Sequence, residues 1–573
     1  MRLPRNKKKL TQYALKLIED CRVSVGQRSA AYRSYGQWCE TGRAAGGLAL
    51  ANMLYAHLDR LGAHLFSPPE LRFGIDYENI YPKEFLEKGK IAARVVSREW
   101  ERQNMDVLFG HGVKEALQYG TYFFRQMAGK GPDGNLAFHG ARLVPPWSMG
   151  VYDESVNELT NQECFVETMY LNRHEVWRRV RHLPDAEKLF RRITSTANRE
   201  TGIGVPTSFM HQVLSTAVLN VNLQNMTQPQ PGGIVQLSND PNFSTLGPQV
   251  SPQLFAFHEL WAKDDEREGS YTTIQVIEPD ILIAPIFKHQ NLFIDYGVDE
   301  DGNVVTVSDD QPYSLIQSNY VPGYLWGRSE IVDLQMLQEW LTSHLDSTKR
   351  LMEVQVDKIL GFEGVDQLTD ELYAQMTRVA GTVSVGQGAK IHDLTPSFPP
   401  ESLPIVNLIL QLMDRISGFP PILSGQNDPG VRSGVQTDTL MKTGSPRLRD
   451  RSLLAERQCA SSADTTLSVF QAKDAKAYWT DPEKGETEFL LSQLPADRRI
   501  MVDSHSASPI FSDDHANLLA WALKSKVVGP EDVIEDMPFS HKDIKIDRLK
   551  ERERAEQALI QKYPEILTHG KHH

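Results

Sequence analysis

The sequence predicts a mixed α+β fold in which a helical layer comes first, a strand-rich stretch follows, and long helices return towards the C-terminus. Three observations carry this expectation. Apolar residues recur at three- and four-residue spacing through most of the first 130 positions, and alternating or continuous apolar runs fill Thr272 to Val307. The longest helical pattern of the chain then begins at Ser329.

Helical spacing starts at Leu10, and Ala44 to Leu65 continues it. Pro82 to Met127 reads as two amphipathic helices split near Gly110 and Gly112. Leu136 to Tyr152 and Cys164 to Leu171 read as strands, and Asn172 is placed to cap a helix running from Arg173 towards Arg181. Thr227 to Pro252 holds five prolines and three glycines with little periodicity, the composition of an irregular boundary loop. Gln253 to Lys263 is expected to be a short helix. The β-rich insert after it has strands at Thr272 to Ile277, Ile281 to Ile286, Leu292 to Tyr296 and Val304 to Val307, with a hairpin turn at Asp301-Gly302. Ser329 to Leu360 carries the stripe Ile331, Leu334, Leu337, Leu341, Leu345, Met352, Val356 and Ile359, a helix about 45 Å long. Gly381 to Ile391 reads as a strand pair and Glu401 to Ser417 as a helix. A Gly/Pro-rich loop from Gly418 to Gly434 precedes a long helix, Val435 to Phe470, with Pro446 as a kink or boundary. The tail from Asp513 is helical and ends in the alternating charges Lys550 to Arg554. No repeat of solenoid period is present.

The 573 residues supply three or four domains' worth of chain at the usual ~150 residues each, and 40% hydrophobic with 24% charged residues excludes wholesale disorder. No stretch reaches the ~20 apolar residues that span a bilayer. The basic run from Arg2 to Lys9 leads into a polar-interrupted helical pattern, which is not a secretory leader. Cys21, Cys39, Cys164 and Cys459 lie far apart, fitting a reducing compartment and giving neither a disulfide framework nor a zinc site. Sixty-one basic against 74 acidic residues leave −13, which argues against coating nucleic acid by bulk charge.

Several motifs are only imitated. His258-Glu259 opens like HExxH, but Ala262 stands where the second zinc ligand belongs. Gly129 to Gly134 satisfies GxGxxG but contains Pro132 and follows a helical pattern, so it reads as a turn. Gly425 and Gly430 have phosphate-loop spacing, yet Val431 and Arg432 stand where the lysine and hydroxyl are needed. Asp513-Asp514-His515 reads as helix-start acids complementing the dipole. No catalytic residue, metal site or cofactor is expected.

Three features remain. Arg173 to Arg192 carries seven basic residues against three acids. Glu339, Asp346 and Glu353 recur every seven residues along one line of the long helix. The loop Ser424 to Gly434 is polar and Gly-punctuated between helices.

In this order the segments resemble the portal protein of tailed bacteriophages, the head-to-tail connector. The resemblance rests on Gln253 to Lys263 as a first stem helix, about Asp264 to Tyr320 as the clip, and Ser329 to Leu360 as the second stem helix. Pro322-Gly323-Tyr324-Leu325-Trp326-Gly327-Arg328-Ser329, followed by Gln335 and Gln338, is similar to the re-entry into that helix in many portals. Phe419 to Gly434 followed by Val435-Gln436-Thr437 resembles the tunnel loop and the opening of the long helix. The implied division is wing 1–252, stem helix 253–263, clip 264–320, stem helix 321–360, and wing 361–512 with tunnel loop 424–434 and long helix 435–470. A short crown of C-terminal helices occupies 513–573.

The resemblance implies a ring-forming subunit, expected as a dodecamer, that passes double-stranded DNA at one capsid vertex during packaging and ejection. It implies docking of the large terminase subunit and later of tail or adaptor proteins, and contact with major capsid or scaffolding protein. It implies a virion location, the host cytoplasm before assembly, and no membrane and no enzymatic activity. Gln426, Asn427, Asp428 and Arg432 would face DNA from the tunnel loop, and Glu339, Asp346 and Glu353 would line the channel. Leu334, Leu337, Leu341 and Leu345 would form the subunit interface. The competing readings are a nucleic-acid-processing enzyme using the Arg173 to Arg192 patch and another virion structural protein.

Overall fold

The computed structural model describes residues 3–200, 254–363, 390–418, 446–502 and parts of 520–555. Within these ranges it is interrupted at 5, 44–47, 69–70, 131–135, 182–184, 264–270, 278–280, 286–310, 357–359, 395–396, 398–401, 473–474, 482–484 and 496. The described helices are α1 (Lys7–Thr41), α2 (Met53–Leu65), α3 (Lys83–Arg102), α4 (Met105–Tyr119), α5 (Arg173–Val180), α6 (Ala186–Glu200), α7 (Ile331–Val356), α8 (Ser402–Ser417) and α9 (Pro446–Ala472). The strands are β1 (Phe73–Tyr77), β2 (Thr121–Lys130), β3 (Leu136–Val144), β4 (Met149–Val151), β5 (Cys164–Asn172), β6 (Leu254–Lys263) and β7 (Tyr271–Ile277). They continue with β8 (Ile281–Pro285), β9 (Tyr313–Gln317), β10 (Leu360–Glu363), β11 (Lys390–Asp393), β12 (Lys476–Asp481), β13 (Gly485–Leu490) and β14 (Arg498–Val502). The class is mixed α+β, as the periodicity indicates.

Two sheets form the centre. One has the order β3-β2-β9 and the other β4-β5-β6-β7-β8, with all their pairings antiparallel. Side chains alternate across β5 and β6, so Cys164, Val166, Leu260 and Ala262 pack under the N-terminal half of α1. Phe165 and Trp261 point the other way into the main core, where their rings stack 5.9 Å apart. The long α1 bridges both cores: Leu10, Ala14, Leu17 and Ile18 cover the five-stranded sheet, while Tyr32 and Trp38 join the main cluster. Asn6 caps its first turn, and Gly42 ends it at φ 68°, the left-handed region that favours glycine.

Charge is buried between the sheets. Arg125 on β2 pairs with Glu167 on β5 and reaches Glu259 on β6 at 2.7 Å, and Arg142 on β3 also pairs with Glu167. The Tyr313 hydroxyl on β9 donates to Glu167 at 2.6 Å. Five strands from both sheets thus converge on one guanidinium and two carboxylates that are almost wholly excluded from water.

Several sequence expectations are corrected. Gln253 to Lys263 is not a helix: Leu254–Lys263 is the central strand of the five-stranded sheet, paired on both edges. Both of its faces are covered, so its apolar run reads equally as buried helix or buried strand, and pairing with β5 and β7 decides. The strands of the expected clip are not a separate module either, because β7 and β8 extend that sheet and β9 closes the other one. The break between α3 and α4 falls at Gln103 and Asn104, where Asn104 takes φ 52°, and not at Gly110 or Gly112. The second of these helices also stops at Tyr119, and Thr121–Lys130 is a strand. Leu292 to Tyr296, Val304 to Val307, Asp301-Gly302, Thr227 to Gln253, Val435 to Gly444 and Asp513 to His515 lie outside the described residues. The described part of α9 begins at Pro446.

Replacing Arg125 by Met should cost about 3–5 kcal/mol, because it strands Glu167 and Glu259 without their shared partner. Denaturant unfolding of the variant checks this. Burial works against the charge of Glu167, but Arg125, Arg142 and the Tyr313 hydroxyl outweigh it and hold the carboxyl below its ordinary 4.5. Its contribution is complete above that value in the unfolded chain and is lost as pH falls through the lower folded value. Glu167→Gln should therefore flatten the acid limb of the stability–pH curve.

Candidate functional site

The segment leading into α7 is held by the end of α4. A helix leaves its last carbonyls without intrahelical donors, and here the re-entry segment supplies them. Ser318 Oγ donates to the Ala116 carbonyl at 2.9 Å, the Glu330 N–H to Leu117 at 2.9 Å, and Ser329 Oγ to Gln118. Ser329 Oγ also accepts the Ile331 N–H at 3.1 Å and so caps α7. Gly120, at φ 85°, and Gly327 approach so closely that a Cβ on Gly120 would sit 2.1 Å from the Gly327 carbonyl oxygen. Glu154 accepts Trp326 Nε1 at 2.7 Å and pairs with Arg28 at 3.0 Å, while the Arg28 guanidinium lies 3.5 Å over the Trp326 ring. The Gly, Trp and Ser of the quoted re-entry motif therefore each have a contact that requires them.

Gln338, about two turns into α7, caps α2. Its amide oxygen accepts the Met53 and Leu54 N–H groups at 3.1 Å, and its nitrogen donates to the Ala51 carbonyl at 2.8 Å. The N-terminal half of α7 is thus rooted in the body of the protein.

This root corrects the expected interface. Leu334 and Leu341 are buried in the chain's own core and are not available to a neighbouring subunit, while Leu337 and Leu345 are partly buried against that core. The exposed apolar side chains of α7 are Met336 (69% exposed), Trp340 (46%) and Met352 (52%). Met336 and Trp340 are one helical turn apart and continue through exposed Ser343 and Ser347 along the opposite line of the helix. The signal for them was present in the sequence as apolar residues off the stripe.

Of the three acids in heptad spacing, Glu339 and Glu353 are exposed. Asp346 instead pairs with Arg43 of the same chain at 2.6 Å, and Glu353 has Lys349 at 3.8 Å. The three are on one helix line but do not form one unpaired acidic row. Gln426, Asn427, Asp428 and Arg432 lie outside the described residues.

Beyond its rooted half, α7 emerges. The β10–β11 pair that follows forms a two-stranded sheet of its own, with Leu360 opposite Asp393 and Glu363 opposite Lys390. Helix α8 then returns: Ser402 Oγ meets His344 Nε2 at 2.9 Å and Thr348 Oγ1 at 3.0 Å, while Ile409 and Met413 re-enter the main core. At its far end Asp414 lies 3.6 Å from His57 on α2. Burial, with Arg60 and Arg451 nearby, pushes the His57 imidazole down to about 4, so it is neutral at neutral pH. Leu394, just after β11, and Leu403, at the start of α8, are exposed.

The basic segment Arg173 to Arg192 is two helices, α5 and α6, not one. Glu175 is used in a capping box with Asn172, Asp185 meets Lys188 at 3.3 Å, and Glu187 meets Arg191 at 3.5 Å. Val176, Val180 and Ile193 seat the pair on Phe255 and Phe257 of the sheet. Between the two helices an open cleft of about 470 Å³ is lined by Arg173, His174, Trp177, Phe190, Arg191 and others. His258, which only imitates the opening of a zinc motif, faces Thr168 Oγ1 at 3.0 Å, and Glu259 pairs with Arg125. Among the described residues no group of three His, Cys, Asp or Glu is arranged to hold a metal, and no described helix is long and apolar enough to cross a membrane.

In comparisons with models of protein families and with curated proteins, the chain matches none.

Gln338→Ala should cost about 1–3 kcal/mol by leaving the first N–H groups of α2 without an acceptor. Thermal unfolding checks the loss, and hydrogen exchange should place it at α2 and α7.

Proposed function

We propose that the chain is a portal subunit, a ring-forming DNA conduit at a capsid vertex. The observation that carries the reading is the order α7, β10–β11, α8, α9: two helices that share one core, have an antiparallel strand pair between them in the described residues, and precede a long helix. This order supports a reading as stem, clip and stem followed, after a further segment, by the long helix, one segment later in the chain than the sequence suggests. On this reading α7 and α8 are the stem helices, residues 357–401 are the clip, and the tunnel loop is the stretch between α8 and α9. Terminase and then adaptor or tail proteins dock on the clip, the surrounding sheets are the wing that meets capsid protein, and no reaction is catalysed.

Closure of a ring needs a face on each subunit that is complementary to a different face on the next. Met336 and Trp340 on α7 supply an exposed apolar line suited to one such face, with Leu403 and Leu408 of α8 available for the other. Glu339 and Glu353 offer exposed acid, which keeps phosphates from adhering where copies converge.

Negative-stain images of the full-length protein under assembly conditions should show rings with a central hole. Met336→Asp with Trp340→Asp should abolish rings and leave folded monomers; unchanged rings would remove this face from the contact. Replacing residues 360–393 with a short Gly/Ser linker should leave the thermal transition of the body within a few degrees of the parent, because among the described residues β10 and β11 pair only with each other. The linker variant should no longer bind the packaging motor. Aggregation of that variant would show that the module belongs to the main fold.

A further inference from the structure

Cys21 and Cys164 are 143 positions apart, yet their Sγ atoms lie 3.6 Å from each other. Both residues are fully buried, Cys21 on the inner face of α1 and Cys164 at the start of β5. The contact is the seam between the N-terminal helix and the five-stranded sheet. On either side of it the seam is apolar, formed by Leu17 and Ile18 against Val166, Leu260 and Ile274, so nothing covalent or ionic among these side chains fastens α1 there. The facing Cys164 sulfur and burial push the Cys21 thiol well above its ordinary range, so Cys21 holds its proton while the seam is closed. Cys39 and Cys459 are buried in the other core cluster, away from this pair.

We infer that Cys21 and Cys164 are a latent cross-link site, at which a peroxide oxidises the two thiols to a disulfide that clamps α1 to the sheet. A disulfide needs its sulfurs at about 2.0 Å, so the pair must close by about 1.6 Å from 3.6 Å. In the first step one thiol, as thiolate, attacks a peroxide oxygen; the O–O bond breaks, a sulfenic acid forms and water leaves. In the second step the other sulfur attacks the sulfenic sulfur; the S–S bond forms, the S–O bond breaks, and hydroxide leaves with the thiol proton as a second water. Two thiols and one hydrogen peroxide give one disulfide and two waters, with the sulfurs oxidised and the peroxide reduced. The bond would join two points far apart in the chain and so restrict the unfolded state and the opening of α1. Access for the peroxide comes from transient lifting of the helix.

The test treats the full-length protein with hydrogen peroxide, in buffer and in urea below the unfolding transition. It then counts thiols after denaturation and maps peptides without reduction. The expected result is a fall from four free thiols to two, a linked peptide pair containing Cys21 and Cys164, and reversal by dithiothreitol. Hydrogen exchange of α1 in the oxidised protein should slow by about tenfold or more. Cys21→Ser should lose the linked peptide while keeping the parent circular dichroism spectrum, and Cys164→Ser is the second variant should the first misfold. Four free thiols under both conditions, sulfinic acid at either residue without a link, or a link through Cys39 or Cys459 would overturn the proposal.

Discussion

The buried guanidinium of Arg125 is the constraint around which the rest of the molecule is arranged. It sits on the middle strand of one sheet, touches carboxylates on two strands of the other, and shares Glu167 with Arg142 and Tyr313. A charge taken this far from water is tolerated only if every partner is in place, so the geometry of five strands is fixed together. Two of those strands, β6 and β9, lie beyond positions 201–253 in the chain, so the N-terminal part of the chain and the part that follows close on the same atoms. Once they close, the C-terminus of α4 is held against Ser318, Ser329 and Glu330, and the start and direction of α7 follow.

That chain of dependence gives physical meaning to the rooted and emergent halves of α7. The half that carries Leu334, Gln338 and Leu341 is part of the fold, and beyond Asp346 none of the described side chains is fully buried. A helix held in this way presents whatever follows it at a fixed place, which is what a docking module on a ring requires. The portal reading therefore rests on an arrangement, a strand pair lying in the chain between two core-anchored helices, and not on any single motif.

Much of this was legible in residue patterns, and the losses have physical causes. The strands at Cys164 and Thr272, the helix at Glu401 and the cap at Asn172 were readable because each has a period or a capping residue confined to its own stretch. The strand Leu254–Lys263 was not, since a segment covered on both faces has no polar side to reveal its period. The leucine stripe of α7 was seen correctly as apolar but given to a neighbour, because periodicity reports burial and not which molecule does the burying. The meeting of Cys21 with Cys164, and of Arg125 with Glu167 and Glu259, is a product of topology that no local spacing records.

A cryo-electron-microscopy reconstruction of the assembled full-length protein tests the portal account most directly. The account predicts a closed ring in which α7 and α8 surround the channel, β10–β11 protrude at one end, and Met336 and Trp340 are buried between neighbours. A particle without a through-channel, or a ring in which β10–β11 face away from its ends and Met336 and Trp340 remain in solvent, would contradict it.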